Sequence, residues 1–295
     1  MAGYLRLTIP ALIFVLTAGG CGGGDGQAAD ETTPSMTTAE STVAASPSVR
    51  QVTAQVEGRA LNGHCSGTQQ DVPGVFLDSG MAGGQQELAN LEEQLAQRTV
   101  VCAYDRAGVG NSDPPSKTPR PLSDLVVDLD AFAAAAKVRA PYVLVGQSAG
   151  GTVVFMYAQA HPEKVAGFVS MNPVPPETTF LKAARKVETK SEYQDELAFN
   201  RGQNDERINF ADSERQLTEP LPSTMPYVVM FDEDCGGETD FCRRILPPLT
   251  QSTKAMAAVG EGGRFVAAKG AGHAIYQTNP ELVLQTVDGV LNDAS

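Results

Sequence analysis

From Val75 onward the chain alternates short apolar runs of strand length with longer stretches of helical period, the signature of a mainly parallel sheet with crossover helices. Val75–Asp78, Val100–Tyr104, Tyr142–Val145, Gly167–Met171, Tyr227–Phe231 and Phe265–Ala267 read as strands. Between and after them, Leu88, Leu91 and Leu95 share one helical face, and Ser123 is a good N-cap for a helix through Phe132. Ala149–Ala160 reads as a helix that stops near Pro162, and Pro280–Leu291 as a closing helix. The predicted class is therefore α/β. From Pro173 to Pro226 the pattern changes to charged, helical-looking segments with prolines at both borders, which predicts a small helical cap at about residues 174–225.

A chain of 295 residues suits one such domain, over residues 51–295, with short appendages. The 35 acidic against 22 basic residues give a net charge of −13, which argues against a nucleic-acid partner because it would repel phosphates. Residues 1–20 have the form of an export signal: Arg6 supplies the positive start and Leu7–Leu16 an apolar run too short to span a bilayer. The small residues Ala18, Gly19 and Gly20 before Cys21 resemble the lipobox of bacterial lipoproteins, although Ala18 stands where those proteins usually have Leu. That resemblance implies export and a membrane anchor on a lipidated Cys21, with plain secretion as the alternative. Residues 22–50 are Gly, Asp, Ala, Ser, Thr and Pro with almost no apolar periodicity, so they are expected to form a disordered tether.

Gly146-Gln147-Ser148-Ala149-Gly150 follows a strand and opens an apolar helix, as the G-x-S-x-G nucleophile elbow requires. A sharp strand-to-helix turn tolerates no bulky side chain on either side of the serine. Serine needs a base to take its proton, and the chain has three histidines to supply one. His64 lies before the first of these strands and His161 at the end of the helix after Ser148, so both read as packing or surface residues. His273 sits in Gly270-Ala271-Gly272-His273, between the last strand and the last helix, and is the expected base. For the developing oxyanion the expected donors are the backbone amides of Ala149 and Met81, the latter in the Ser79–Gly84 loop. No cofactor or metal is expected, since the cysteines and histidines lack zinc-finger spacing and no phosphate-binding glycine loop occurs.

Together these segments resemble the bacterial single-domain α/β hydrolases related to esterases, proline iminopeptidases and cofactor-free haloperoxidases. The resemblance rests on Val75–Gly84, Tyr104–Ser112, Pro141–Gly151 and Gly270–His273, and spans about Cys65 to Asn279. It implies an α/β-hydrolase fold and a serine hydrolase acting on a small ester or amide. A cofactor-free perhydrolase or haloperoxidase and a tethered binding protein without turnover are the alternatives. In the family, Asp105-Arg106 packs and orients the floor of the site without taking part in chemistry. Two positions depart from the family: Gln147 stands where His often precedes the nucleophile, and Ser79-Gly80 where His-Gly often ends the oxyanion strand. The triad acid commonly follows the strand after the cap, which leaves Asp232, Glu233 and Asp234 as candidates. The usual family spacing puts it at Cys235, and a one-residue contraction makes Asp234 the preferred acid, ahead of Asp232 and then Glu233.

Besides Cys21 the chain has four cysteines, and export would permit disulfides. The expected pairs are Cys235 with Cys242 and Cys65 with Cys102.

Overall fold

A computed structural model describes residues 48–211, 213–222, 224–234 and 240–295. The expectations for the signal segment, for Cys21 and for residues 22–47 of the tether lie outside the described residues, and so does Cys235; the last two residues of the expected tether, Val49 and Arg50, are instead the start of an edge strand.

All six expected strands form, joined in one sheet by an edge hairpin that the apolar pattern did not reveal. The hairpin is β1 (Val49–Val56) and β2 (Arg59–Ser66). Its two-residue turn, Glu57-Gly58, has φ of 50° and 79°, the paired left-handed conformation that matches the twist of flanking strands. The sheet continues in β3 (Val75–Asp78) and β4 (Val101–Tyr104), and a two-residue β5 (Arg120–Pro121) lies apart from it. Next come β6 (Tyr142–Gln147) and β7 (Val165–Met171), a short β8 (Ile208–Asn209) paired with β5, then β9 (Tyr227–Phe231) and β10 (Gly263–Ala267). The order across the eight-stranded sheet is β1-β2-β4-β3-β6-β7-β9-β10. It is parallel from β4 to β10 and antiparallel only at the β1-β2-β4 edge.

The central strands are apolar because both faces are covered. Along β3, Phe76 points into one layer while Val75 and Leu77 point into the other. The first layer is closed by α2 (Leu122–Ala136) through Leu125, Leu129 and Phe132, and by α3 (Ala149–Ala160) through Val153 and Phe155. The second is closed by α1 (Ala89–Leu95), whose Leu91 and Leu95 share the buried face with Leu88 just before it. Ser123 does not cap α2, contrary to expectation: the helix starts one residue earlier, and Pro121 in extended conformation provides the entry without a side-chain cap.

The insertion between β7 and β9 forms α4 (Glu177–Ala184), α5 (Lys190–Asn200), β8 and α6 (Ser213–Thr218). It is joined by α7 (Asp240–Ala257), whose Ile245 packs into the cluster of Phe180, Leu181 and Ala184. Internal Pro247 and Pro248 hid this helix from a periodicity reading. After β10 a short α8 (Ile275–Thr278) leads into α9 (Pro280–Asp293), which covers the second layer through Val283, Val287, Val290 and Leu291. Cys65 and Cys102 face each other across β2 and β4 and form the expected disulfide. Cys242 is also disulfide-bonded, while its expected partner lies outside the described residues.

Candidate active site

The turn from β6 to α3 is tight enough to exclude a side chain two residues to either side of Ser148. A Cβ at Gly146 would lie 2.3 Å from the Gly150 carbonyl oxygen, and one at Gly150 would lie 2.2 Å from that of Asp78. Ser148 itself takes φ 52° and ψ −117°, a conformation that L-residues rarely hold and that costs about 1–3 kcal/mol. It is retained because the turn is fixed on both sides: the Ser148 amide donates to the Met171 carbonyl (2.8 Å), and the Ser148 carbonyl accepts from the Thr152 amide (3.2 Å). The serine hydroxyl is thereby presented at the end of the strand, beside the unpaired amides of the α3 N-terminus. Among the described residues, no acceptor takes the Ala149 amide.

The second donor loop leaves β3 at Asp78 and is gripped from beneath by Arg106. This guanidinium is 1% exposed and donates to the carbonyls of Ser79 and Gly80, both at 2.6 Å. It also pairs with the carboxylates of Asp78 and of Glu206, the latter from the turn before β8 in the insertion. Burial opposes its charge, but the two carboxylates more than offset that and keep it protonated. Glu206 in turn accepts from the Ala82 amide (2.7 Å) and from Arg120 (3.1 Å), and Arg120 reaches Asp128 (3.2 Å). Glu87 accepts the Gly80 amide. With the Gly80 and Ala82 amides so occupied, the Met81 amide between them is left without an acceptor among the described residues.

Sequence reasoning read Asp105-Arg106 as a structural pair, yet the two side chains diverge. Asp105 caps the Gln85 and Asn111 amides (2.8 and 3.0 Å), whereas Arg106 turns inward under the Ser79–Gly84 loop. Glu206 escaped notice because its partner lies 100 residues away, inside a segment with no motif. His64 is likewise a buried residue of β2, its ring between Gln85 (2.6 Å) and Glu92 (2.7 Å).

His273 is held by its backbone. Its carbonyl accepts from the side chains of Gln147 and Asn172, each at 2.8 Å, so the residue before Ser148 also anchors the histidine loop. Asp232 clamps the same loop: its carboxylate accepts from the amides of Gly270 (2.9 Å) and Gly272 (2.6 Å), and also from that of Asp234 (3.0 Å). Asp234, the preferred acid, is exposed, and it lines a recess of about 420 Å³ together with Asp232 and His273. Desolvation lowers the His273 pKa below its ordinary value, and the Glu87 carboxylate opposes that shift.

Met81, Ser148 and His273 come together on the floor of a cavity of about 450 Å³ under the insertion. Ser148 and His273 share it without a hydrogen bond between them, as is common before substrate closes a site. Among the aromatic residues of the insertion, Phe180 and Phe199 line the cavity. Phe210 is buried and stacks on Phe199 at 5.9 Å, and Tyr193 packs in the cap cluster beneath Arg185.

A family model described as the alpha/beta hydrolase fold matches residues 75–224. Among solved structures, an esterase from Thermogutta terrifontis is 19% identical, with a TM-score of 0.56 over 84% of this chain and 99% of its own. The enol-lactonase from Burkholderia xenovorans is 20% identical (TM-score 0.59, 81% and 99%), and a putative lipase from Acinetobacter baumannii 16% (0.59, 83% and 92%). At these identities the likeness is one of fold.

Glu206→Gln leaves Arg106 and Arg120 buried without the carboxylate they share. It is expected to lower the unfolding free energy by about 3 kcal/mol in urea titrations, and a loss below about 0.5 kcal/mol would contradict the clamp.

Proposed function

The chain belongs to the α/β-hydrolase family, and from that premise we propose that it is a serine hydrolase cleaving a small ester or amide through an acyl-enzyme. One observation carries this reading: the strained Ser148 turn beside two amides, of Met81 and Ala149, that have no acceptor among the described residues. In this mechanism Ser148 Oγ attacks the carbonyl carbon as His273 takes the hydroxyl proton. The carbonyl oxygen becomes an oxyanion and accepts from the Met81 and Ala149 amides. His273 then returns the proton to the leaving group as the tetrahedral intermediate collapses. Water, deprotonated by the same imidazole, attacks the acyl-enzyme and releases the acid and free Ser148.

Asp234 is the proposed partner of the imidazolium. Its rival Asp232 already accepts three backbone amides, which suits a clamp on the histidine loop more than a ligand of the ring. The nearby Asp232 carboxylate would then set the loop and Asp234 the tautomer.

The N-terminal segment supports a second part of the proposal: export and lipid anchoring at Cys21, with residues 22–47 spacing the enzyme from the membrane. Expressed in bacteria fed a palmitate analogue, the full chain should be labelled and Cys21→Ser should not. Equal labelling of both would sink the assignment of Cys21.

Turnover of 4-nitrophenyl esters and aminoacyl 4-nitroanilides tests the chemistry. Ser148→Ala should fall to background, and Asp234→Asn should lose about four orders of magnitude in kcat while Asp232→Asn loses less. The reverse order would hand the triad role to Asp232. Because the base must be neutral, kcat/KM should rise with pH through an apparent pKa below the ordinary histidine value of 6.5, and Glu87→Gln should move that limb lower. A limb above 6.5, or one that Glu87→Gln moves upward, would contradict the assigned electrostatics.

A further inference from the structure

The cavity over Ser148 has one wall that departs from its apolar character. Glu196 and Asn200 lie four residues apart, on one face of α5, and Asp205 follows in the next turn; all three line the cavity. Asn200 is 2% exposed, and its Nδ2 donates back to the Glu196 carbonyl at 2.9 Å, yet its Oδ1 has no donor. A buried acceptor left without a donor is costly, so the position points to a donor supplied from the cavity. Neither the Glu196 nor the Asp205 side chain takes a hydrogen bond or ion pair from another described residue. Among the described residues, no lysine or arginine lines the cavity. Two cations near the cap cluster are engaged elsewhere, Arg244 with Glu192 and Arg185 over the Tyr193 ring.

Resting on the serine-hydrolase reading above, we propose that this wall is a subsite for a primary ammonium group, so that the substrate is an amine-bearing ester or amide. Its carbonyl would sit at Ser148 and its ammonium against Glu196, Asp205 and Asn200 Oδ1. The chemistry matches: an ammonium carries three donors and no acceptor, and the wall offers three acceptor groups and, among the described residues, no basic side chain. A neutral hydroxyl could satisfy Asn200 but would leave two carboxylates unneutralised. Burial, and then the neighbouring Asp195, push the Glu196 carboxyl above its ordinary value, a shift that a bound cation would reverse. The net charge of −13 favours the approach of a cation over that of an anion.

The test is protection of Ser148 in the full-length protein from a fluorophosphonate probe, with butylammonium and 1-butanol as competitors of matched shape at neutral pH. Butylammonium should halve the labelling rate at about one-tenth the concentration of butanol, as a charge-assisted hydrogen bond predicts. Asp205→Asn, at an exposed position, should lower this ratio, and Glu196→Gln with Asp205→Asn should bring it to about one. The ratio is taken within each protein, so a change in the amount of folded enzyme does not imitate the effect. Equal protection by the two compounds in the unaltered protein, or a preference that survives the double substitution, overturns the subsite and leaves the Ser148 reading standing. Failure of the folded protein to label at all overturns both.

Discussion

The arrangement depends most on one buried cation. Arg106 sits under the loop after β3, its guanidinium shared between Asp78 at the end of β3, Glu206 from the insertion, and the carbonyls of Ser79 and Gly80. A single planar group thus ties together a sheet strand, the loop after it and the cap. Such a cluster is weak evidence for stability, because desolvation consumes much of the Coulomb gain. Its value lies in geometry. Five donors in a rigid fork define where a loop of small residues must run, and Met81 in that loop lines the cavity with its amide free of any acceptor among the described residues.

A second set of contacts couples the nucleophile to the histidine loop. Gln147, one residue before Ser148, and Asn172, just after β7, both donate to the His273 carbonyl, while Asp232 after β9 gathers the Gly270 and Gly272 amides. Three adjacent strands therefore fix one loop through side chains at their carboxyl ends. Gln147 also gives a physical reading to a departure from the family pattern: an amide at that position reaches the His273 carbonyl and holds that loop beside Ser148.

The parts of this architecture legible in the sequence are those governed by local rules. Strands such as β6, buried along its whole length, advertise themselves by an unbroken apolar run, and the elbow by glycines whose Cβ atoms would collide with backbone. The β1-β2 hairpin lacks such an unbroken run: β1 begins with three exposed residues and then alternates, the pattern of a strand covered on one face. Helix α7 escaped because of its two internal prolines. The hardest features were long-range. Nothing near Glu206 in the chain announces that Arg106, 100 residues earlier, needs a second carboxylate, and nothing near Asp232 shows that its oxygens are filled by amides about 40 residues on. Burial and partner identity at those sites are products of the assembled fold.

The central claim is that Ser148 attacks while Met81 and Ala149 receive the oxyanion, and the crystal structure of a phosphonate-inhibited enzyme tests it directly. The account predicts phosphorus bonded to Ser148 Oγ, with the phosphoryl oxygen about 3 Å from both the Met81 and Ala149 nitrogens. A phosphonyl group on another residue, or a phosphoryl oxygen turned away from both amides, would contradict it.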